Sequence, residues 1–186
     1  PGFARIGSVT HPDRPPLLPW PARGVLAGAM GTLAMSLAYY AERRLQQQRG
    51  GHHQGAATLA DGAPVRGLAS HTGLDYDDTV VPGQIVVNIL HLPATIGQHP
   101  GDVAIALRWG YGSAFGLAHV VLRHRLPEPA ASAIFGGALM TVTLSMFPLL
   151  GRTPPPWRWA PAVLATSVGT HAAYVLAAAV TDDALR

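Results

Sequence analysis

Apolar residues gather in four long runs separated by polar stretches, and the first run sets the scale. Gly24 to Ala41 is 18 residues without a charge, followed at once by Glu42, Arg43 and Arg44. As a helix this run is about 27 Å long, close to the roughly 30 Å hydrocarbon layer of a bilayer. The pattern predicts a transmembrane helix over 24–44, and similar runs predict three more over 102–125, 130–151 and 160–181. The expected fold is an all-α integral membrane protein with four transmembrane helices. A Pro-rich extended tail (1–23), an extramembrane loop (45–101), a Trp/Arg connector (152–159) and a short tail (182–186) complete the chain.

Small and hydroxyl residues recur every fourth position within the runs. Gly24, Gly28, Thr32 and Ser36 share one helix face in the first, Gly112 and Gly116 in the second, and Gly137, Thr141 and Ser145 in the third. Between helices in lipid, attraction comes mainly from close packing, and small side chains let backbones approach. These faces are therefore expected to bury helix contacts. Moreover, GAMGTLAMSL at 28–37 lies over GALMTVTLSM at 137–146 without a gap. That register suggests two related helical hairpins.

In the long loop, the period of Ile85, Val86, Ile89, Leu90 and Leu92 predicts an interfacial helix over about 82–92, capped by Asp78 or Thr79, with Pro82 in its first turn. It is too short to cross a bilayer and too apolar to hang in water. Asp75, Asp77 and Asp78 lack the spacing of a calcium loop and read as a cap and a turn. His52 and His53 sit in a polar stretch where adjacent histidines are usually solvated. The prolines at 12, 15, 16, 19 and 21 make the N-terminal tail extended, and ordering of the tail against a neighbouring subunit is expected. Its short Leu17–Leu18 pair is no signal-peptide core, so the first span is expected to remain as an anchor.

Composition narrows the chemistry. Only 12% of residues are charged against 48% hydrophobic, too few charges for an ordinary soluble domain. With no cysteine, thiolate-held clusters, structural disulfides and c-type haem attachment are excluded. All 13 basic residues are arginines scattered between apolar segments, which suits lipid headgroups or acidic surfaces and argues against nucleic acid. Four spans put both termini on one side of the membrane. Six arginines fall on each side, with Arg108 within a span, so charge bias gives no orientation.

A few polar residues stand within the runs or at their edges. Arg108 either snorkels back towards Asp102 or binds a lipid phosphate, an acidic partner or an ion. Trp157, Arg158 and Trp159 form an anchoring girdle at the interface. His171 and Tyr174 share a face of the fourth run, and His119 lies near the end of the second. A haem held jointly by His119 and His171 is not expected, because in helices running the same way their depths differ by about 9 Å. A pigment on one axial histidine is the cofactor alternative for either residue, against a structural histidine bonded to a carbonyl or hydroxyl. No cofactor is otherwise expected; bound lipid is.

The GAMGTLAMS of the first run, the loop with LDYDD and the RWGYGSAFGLAHVVL of the second run resemble bacterial integral membrane proteins of the uncharacterised YagU-like type, over roughly residues 24–125. The resemblance implies a bacterial inner-membrane protein and no settled reaction. The expected function is an accessory or structural subunit of a larger membrane complex, such as an electron-transfer or photosynthetic assembly, with other integral membrane subunits and lipid as partners. The alternative is a small oligomeric transporter or proton-path component using Arg108, His119, His171 and Tyr174. Catalysis ranks behind both, because neither a nucleophile–base constellation nor a zinc motif is legible.

Overall fold

A computed structural model describes residues 17–48, 81–151, 155–159 and 161–186. The regular elements are all helical: α1 (Trp20–Gln48), α2 (Val81–Leu90), α3 (Ala94–Gly97), α4 (Pro100–Arg125), α5 (Ala130–Gly151) and α6 (Pro161–Ala184), with a single 3₁₀ turn at Pro156–Arg158. Proline opens or punctuates most of them. Pro100 and Pro161 occupy first helical positions, where the missing amide costs nothing and the fixed φ suits a helix. α4 carries Asp102 in its first turn and Arg123, His124 and Arg125 in its last, so charge complements the helix dipole at both ends. It stops at Leu126, whose backbone is extended (φ −129°, ψ 143°) ahead of Pro127. α2 closes on His91 at φ 49°, and the Leu92 amide reaches back to the Val87 carbonyl at 3.1 Å, a left-handed helix stop.

α1 is the central element and packs along both α6 and α4. α2 lies on α4, while α5 meets α6 and α4 over a smaller area. Glycines set the α1–α4 distance: a Cβ on Gly24 would stand 2.8 Å from the Leu117 backbone, and one on Gly28 2.8 Å from the Ser113 Cα. Gly116 faces Gly24 and Gly28 in turn, and Gly112 faces the Thr32 hydroxyl. On the opposite flank, Gly31 lies against the Tyr174 ring. The apolar core joins Ala27, Phe135, Leu139, Tyr174, Val175 and Ala178 from α1, α5 and α6, with Phe115 and Leu122 of α4 packed against it.

Among the described residues, two segments are long and apolar enough to cross a membrane, Trp20–Glu42 and Leu164–Ala184. The apolar part of α5, Ala130–Met146, is shorter, and α4 is diluted by glycine, charge and histidine. The third small-residue face departs from expectation. Gly137, Thr141 and Ser145 are exposed, and a Cβ on Gly137 would meet open space, so this face packs on no other helix among the described residues. The neighbouring Gly136 is the one near α6, 3.5 Å from Val175 by the same measure. A two-hairpin match therefore survives only locally, in the back-bonds Thr32 to Gly28 and Thr141 to Gly137, both 2.9 Å.

Other expectations are also redrawn. The Trp157 and Trp159 rings do not share one surface: Trp157 is 82% exposed and Trp159 is buried. Arg158 lies between them in the 3₁₀ turn. Arg108 places its guanidinium over the Tyr39 ring of α1, 5.9 Å from the centroid, rather than only snorkelling towards Asp102. The N-terminal tail to residue 16, His52, His53, Asp75, Asp77, Asp78 and Thr79 lie outside the described residues.

Candidate functional site

A cluster of charged side chains gathers at one end of the bundle, where α1 starts, α4 ends, α5 starts and α6 ends. Arg23 enters from the first turn of α1, Arg123 from the last turn of α4, Glu128 from the turn between α4 and α5, Ser132 from the start of α5, and Asp182 from the end of α6. Asp182 is fully buried and receives three guanidinium groups: Arg23 Nε at 3.2 Å, Arg123 Nη1 at 2.7 Å and Arg186 Nη2 at 2.9 Å. Arg123 is the opposite hub. It reaches Glu128 Oε1 through Nε at 2.6 Å, Asp183 Oδ1 through Nη2 at 2.5 Å and the Ala179 carbonyl through Nη1 at 3.1 Å. Arg23 Nε, Arg123 Nε and Asp182 Oδ1 lie outside hydrogen-bond alignment and are held there by charge. Three arginines balance three carboxylates, which is what makes burial of so many charges tolerable.

Glu128 carries this network inward. Its Oε1 accepts the Ser132 hydroxyl proton at 2.8 Å, and the Ser132 oxygen lies 3.0 Å from His119 Nε2. Since serine has one proton and spends it on the carboxylate, the imidazole donates from Nε2. His119 is fully buried and stacked on Phe135, 4.7 Å between centroids, and its Nδ1 has no hydrogen-bond partner. Glu128 remains about one-third exposed.

A second layer lies deeper. His171 Nδ1 donates to the Ser167 carbonyl at 2.7 Å, which leaves Nε2 to accept the Thr143 hydroxyl at 2.9 Å and joins α6 to α5. Tyr174 donates its hydroxyl to the Gly112 carbonyl of α4 at 2.5 Å. Thr32 and Ser36 turn their hydroxyls onto their own helix, bonding carbonyls four residues back. Thr166 bonds Glu42, tying α6 to α1 near the opposite end.

The two histidines singled out from the sequence are thus placed in separate constellations, and Arg108 in a third. Among the described residues, no three His, Asp or Glu side chains are grouped as metal ligands. The residues sequence reasoning missed are the charged ones at the helix ends, Arg23, Arg123, Glu128, Asp182, Asp183 and Arg186, together with Ser132. Their signal was available in the topology: if both ends lie together, the arginines before the first run and after the second meet the aspartates after the fourth. Comparison of the chain with family models, curated proteins and solved structures gives no match.

Proposed function

We propose that this chain is a four-span structural subunit of a larger bacterial inner-membrane complex, with α1, α4, α5 and α6 crossing the bilayer and both termini on one side. The carrying observation is the inverted polarity of the bundle. Arg23, Thr32, His119, Arg123, Thr170 and Asp182 are buried, whereas large apolar side chains such as Leu37, Ile105, Ile134, Leu149 and Leu176 face outward from all four long helices. In water such a surface would aggregate; in lipid it is the solvated face. The buried charges Arg23, Arg123 and Asp182 are spent on one another across helices, which fits a scaffold better than a reaction centre. α5, with an outward small-residue face and the lightest packing of the four long helices, is the element through which other membrane subunits are contacted. The kinship to YagU-like proteins suggested by spans 1 and 2 belongs to the same reading.

The test uses the absence of cysteine. Single cysteines introduced at Thr10, Gly55, Pro127, Pro155 and Ala184 in inverted and right-side-out vesicles should label in two groups, with 10, 127 and 184 together and 55 and 155 opposite. In mild detergent the chain should migrate in a particle well above its own 19.5 kDa that contains a second polypeptide in fixed ratio. Labelling of all five sites from one side rejects the topology, and a lone, stable monomer in native membranes rejects the subunit role.

A further inference from the structure

Two outward faces of the bundle are uncovered among the described residues, and they match each other in depth. On α4, Ala106, Gly110, Ala114 and Ala118 recur every fourth residue on the side away from α1; all four are exposed, and a Cβ on Gly110 would meet open space. On α5 the exposed face is Gly137, Thr141 and Ser145. Ala118, Ala114 and Gly110 lie 7, 11 and 15 residues before the end of α4 at Arg125, and Gly137, Thr141 and Ser145 lie 7, 11 and 15 residues after the start of α5 at Ala130. The turn 126–129 keeps those two helix ends level, as the His119–Ser132 hydrogen bond of 3.0 Å and the stacking of His119 on Phe135 show. At 1.5 Å per residue the three pairs stand about 10, 16 and 22 Å from that end of the bundle. We propose that the occupant of the α5 face is the outer α4 face of a second copy of this chain, which rests on the reading that α4 and α5 cross the bilayer and that α5 carries subunit contacts.

Copies inserted in one orientation are related by an axis along the membrane normal, so residues that meet across their contact lie at equal depth. A foreign helix on α5 would require no such match with α4; a second copy does. Direction agrees as well. α1 and α5 start at the same end of the bundle, so α5 of a neighbouring copy meets α4 antiparallel, as α1 does within the chain. There α1 brings Gly24, Gly28 and Thr32 onto Gly112 and Gly116 of α4, and GALMTVTLSM of α5 repeats the small-residue spacing of GAMGTLAMSL in α1. Charge is complementary at the rim. Arg125 continues the outer ridge of α4 two turns beyond Ala118, is exposed and is free of any ion pair among the described residues. At that depth the neighbouring copy presents Glu128, about one-third exposed, which spends Oε1 on Arg123 and Ser132 and leaves Oε2 with only a long 3.4 Å bond from the Ser132 amide. Arg125 supplies that oxygen with a cation across the contact, while the small residues below let the helices approach.

The experiment is disulfide cross-linking of the full chain in native membranes, which the absence of cysteine makes clean. Two differently tagged copies are coexpressed, one with Ala114→Cys and the other with Thr141→Cys, and oxidation should give a product carrying both tags. Gly110→Cys with Ser145→Cys should do the same, as a second pair read independently of the first. Ala106→Cys with Gly137→Cys should give none, because those positions differ in depth by about 18 Å and a disulfide needs Cα atoms about 4.4–6.8 Å apart. Gly137→Leu in the copy with Thr141→Cys should cut the yield about fivefold or more, as overpacking of a close helix contact does. Arg125→Glu in the copy with Ala114→Cys should lower it as well, by setting a carboxylate against Glu128. All these positions are exposed, so the fold of each copy is kept. Absence of a two-tag product from both depth-matched pairs, an equal yield from the mismatched pair, or Thr141→Cys joining only to Thr141→Cys overturns the proposal. A benzophenone on Thr141→Cys that captures a different polypeptide and no second copy also overturns it while leaving the subunit role in place, and the five-site labelling tests the spans separately.

Discussion

Asp182 is the residue on which the bundle end turns. Its carboxylate is out of reach of water and draws guanidinium groups from α1 and α4 and from beyond the end of α6. Breaking a buried ion pair by neutralising one partner typically costs about 3–5 kcal/mol, because the other charge is left without compensation, whereas replacing a whole pair with apolar groups is often nearly neutral. Asp182→Asn should therefore lower the stability of the chain in detergent by about 3 kcal/mol. The double variant Arg123→Met with Asp182→Leu should lose less than the sum of its single changes, as measured by a double-mutant cycle on denaturant or thermal unfolding. Additive losses would show that the two side chains do not act as a pair. Tyr174 is a smaller lever: Tyr174→Phe removes one hydrogen bond to the Gly112 carbonyl while keeping the ring against Gly31, and should cost about 1 kcal/mol.

Helices show where sequence patterns are sufficient and where they are not. The apolar runs foretold the long helices because their length and spacing are properties of each segment alone, and Gly28 reads as a contact residue because α4 carries its complement at Gly112 and Gly116. The matching face of α5 carries the same letters and the same threonine back-bond, but no helix among the described residues supplies a complementary surface to it. Whether a small-residue face is covered depends on the partner, which local sequence does not contain. The ionic network was illegible for a related reason: each of its charges flanks a run and by itself looks solvated, and only the arrangement of four helix ends brings them together. The paired substitutions Gly28→Leu and Gly137→Leu test this difference between α1 and α5. The first forces a branched side chain into the Gly112–Ser113 backbone and should destabilise the isolated chain by at least about 1–3 kcal/mol, the usual range for overpacking. The second enters open space and should leave the melting of the isolated chain unchanged, while weakening retention of a partner if α5 is the docking element. Equal losses of stability would place both faces inside the chain.

For the whole molecule, cohesion comes from α1 lying between α4 and α6 rather than from the chain order. Most of the packing of α1 is with elements that follow the stretch 49–80, and its first turn is tied to the end of α6 through Arg23 and Asp182. Helices in a bilayer form as separate units before they associate, so the covalent link is not what selects their neighbours. Expressing the chain as two pieces, 1–60 and 61–186, should therefore yield a complex in the membrane that copurifies through a tag on either piece and melts as one unit. The association should depend on the contacts named above. Gly28→Leu in the first piece should abolish copurification by blocking the approach to α4, and Asp182→Asn in the second should weaken it by leaving Arg23 without its carboxylate, whereas Gly137→Leu should have no effect. Pieces that accumulate in the membrane without associating, or that associate equally well with Gly28→Leu, would mean that α1 is held by its connection and not by its helix faces, and the packing of α1 against α4 and α6 would then have to be redrawn.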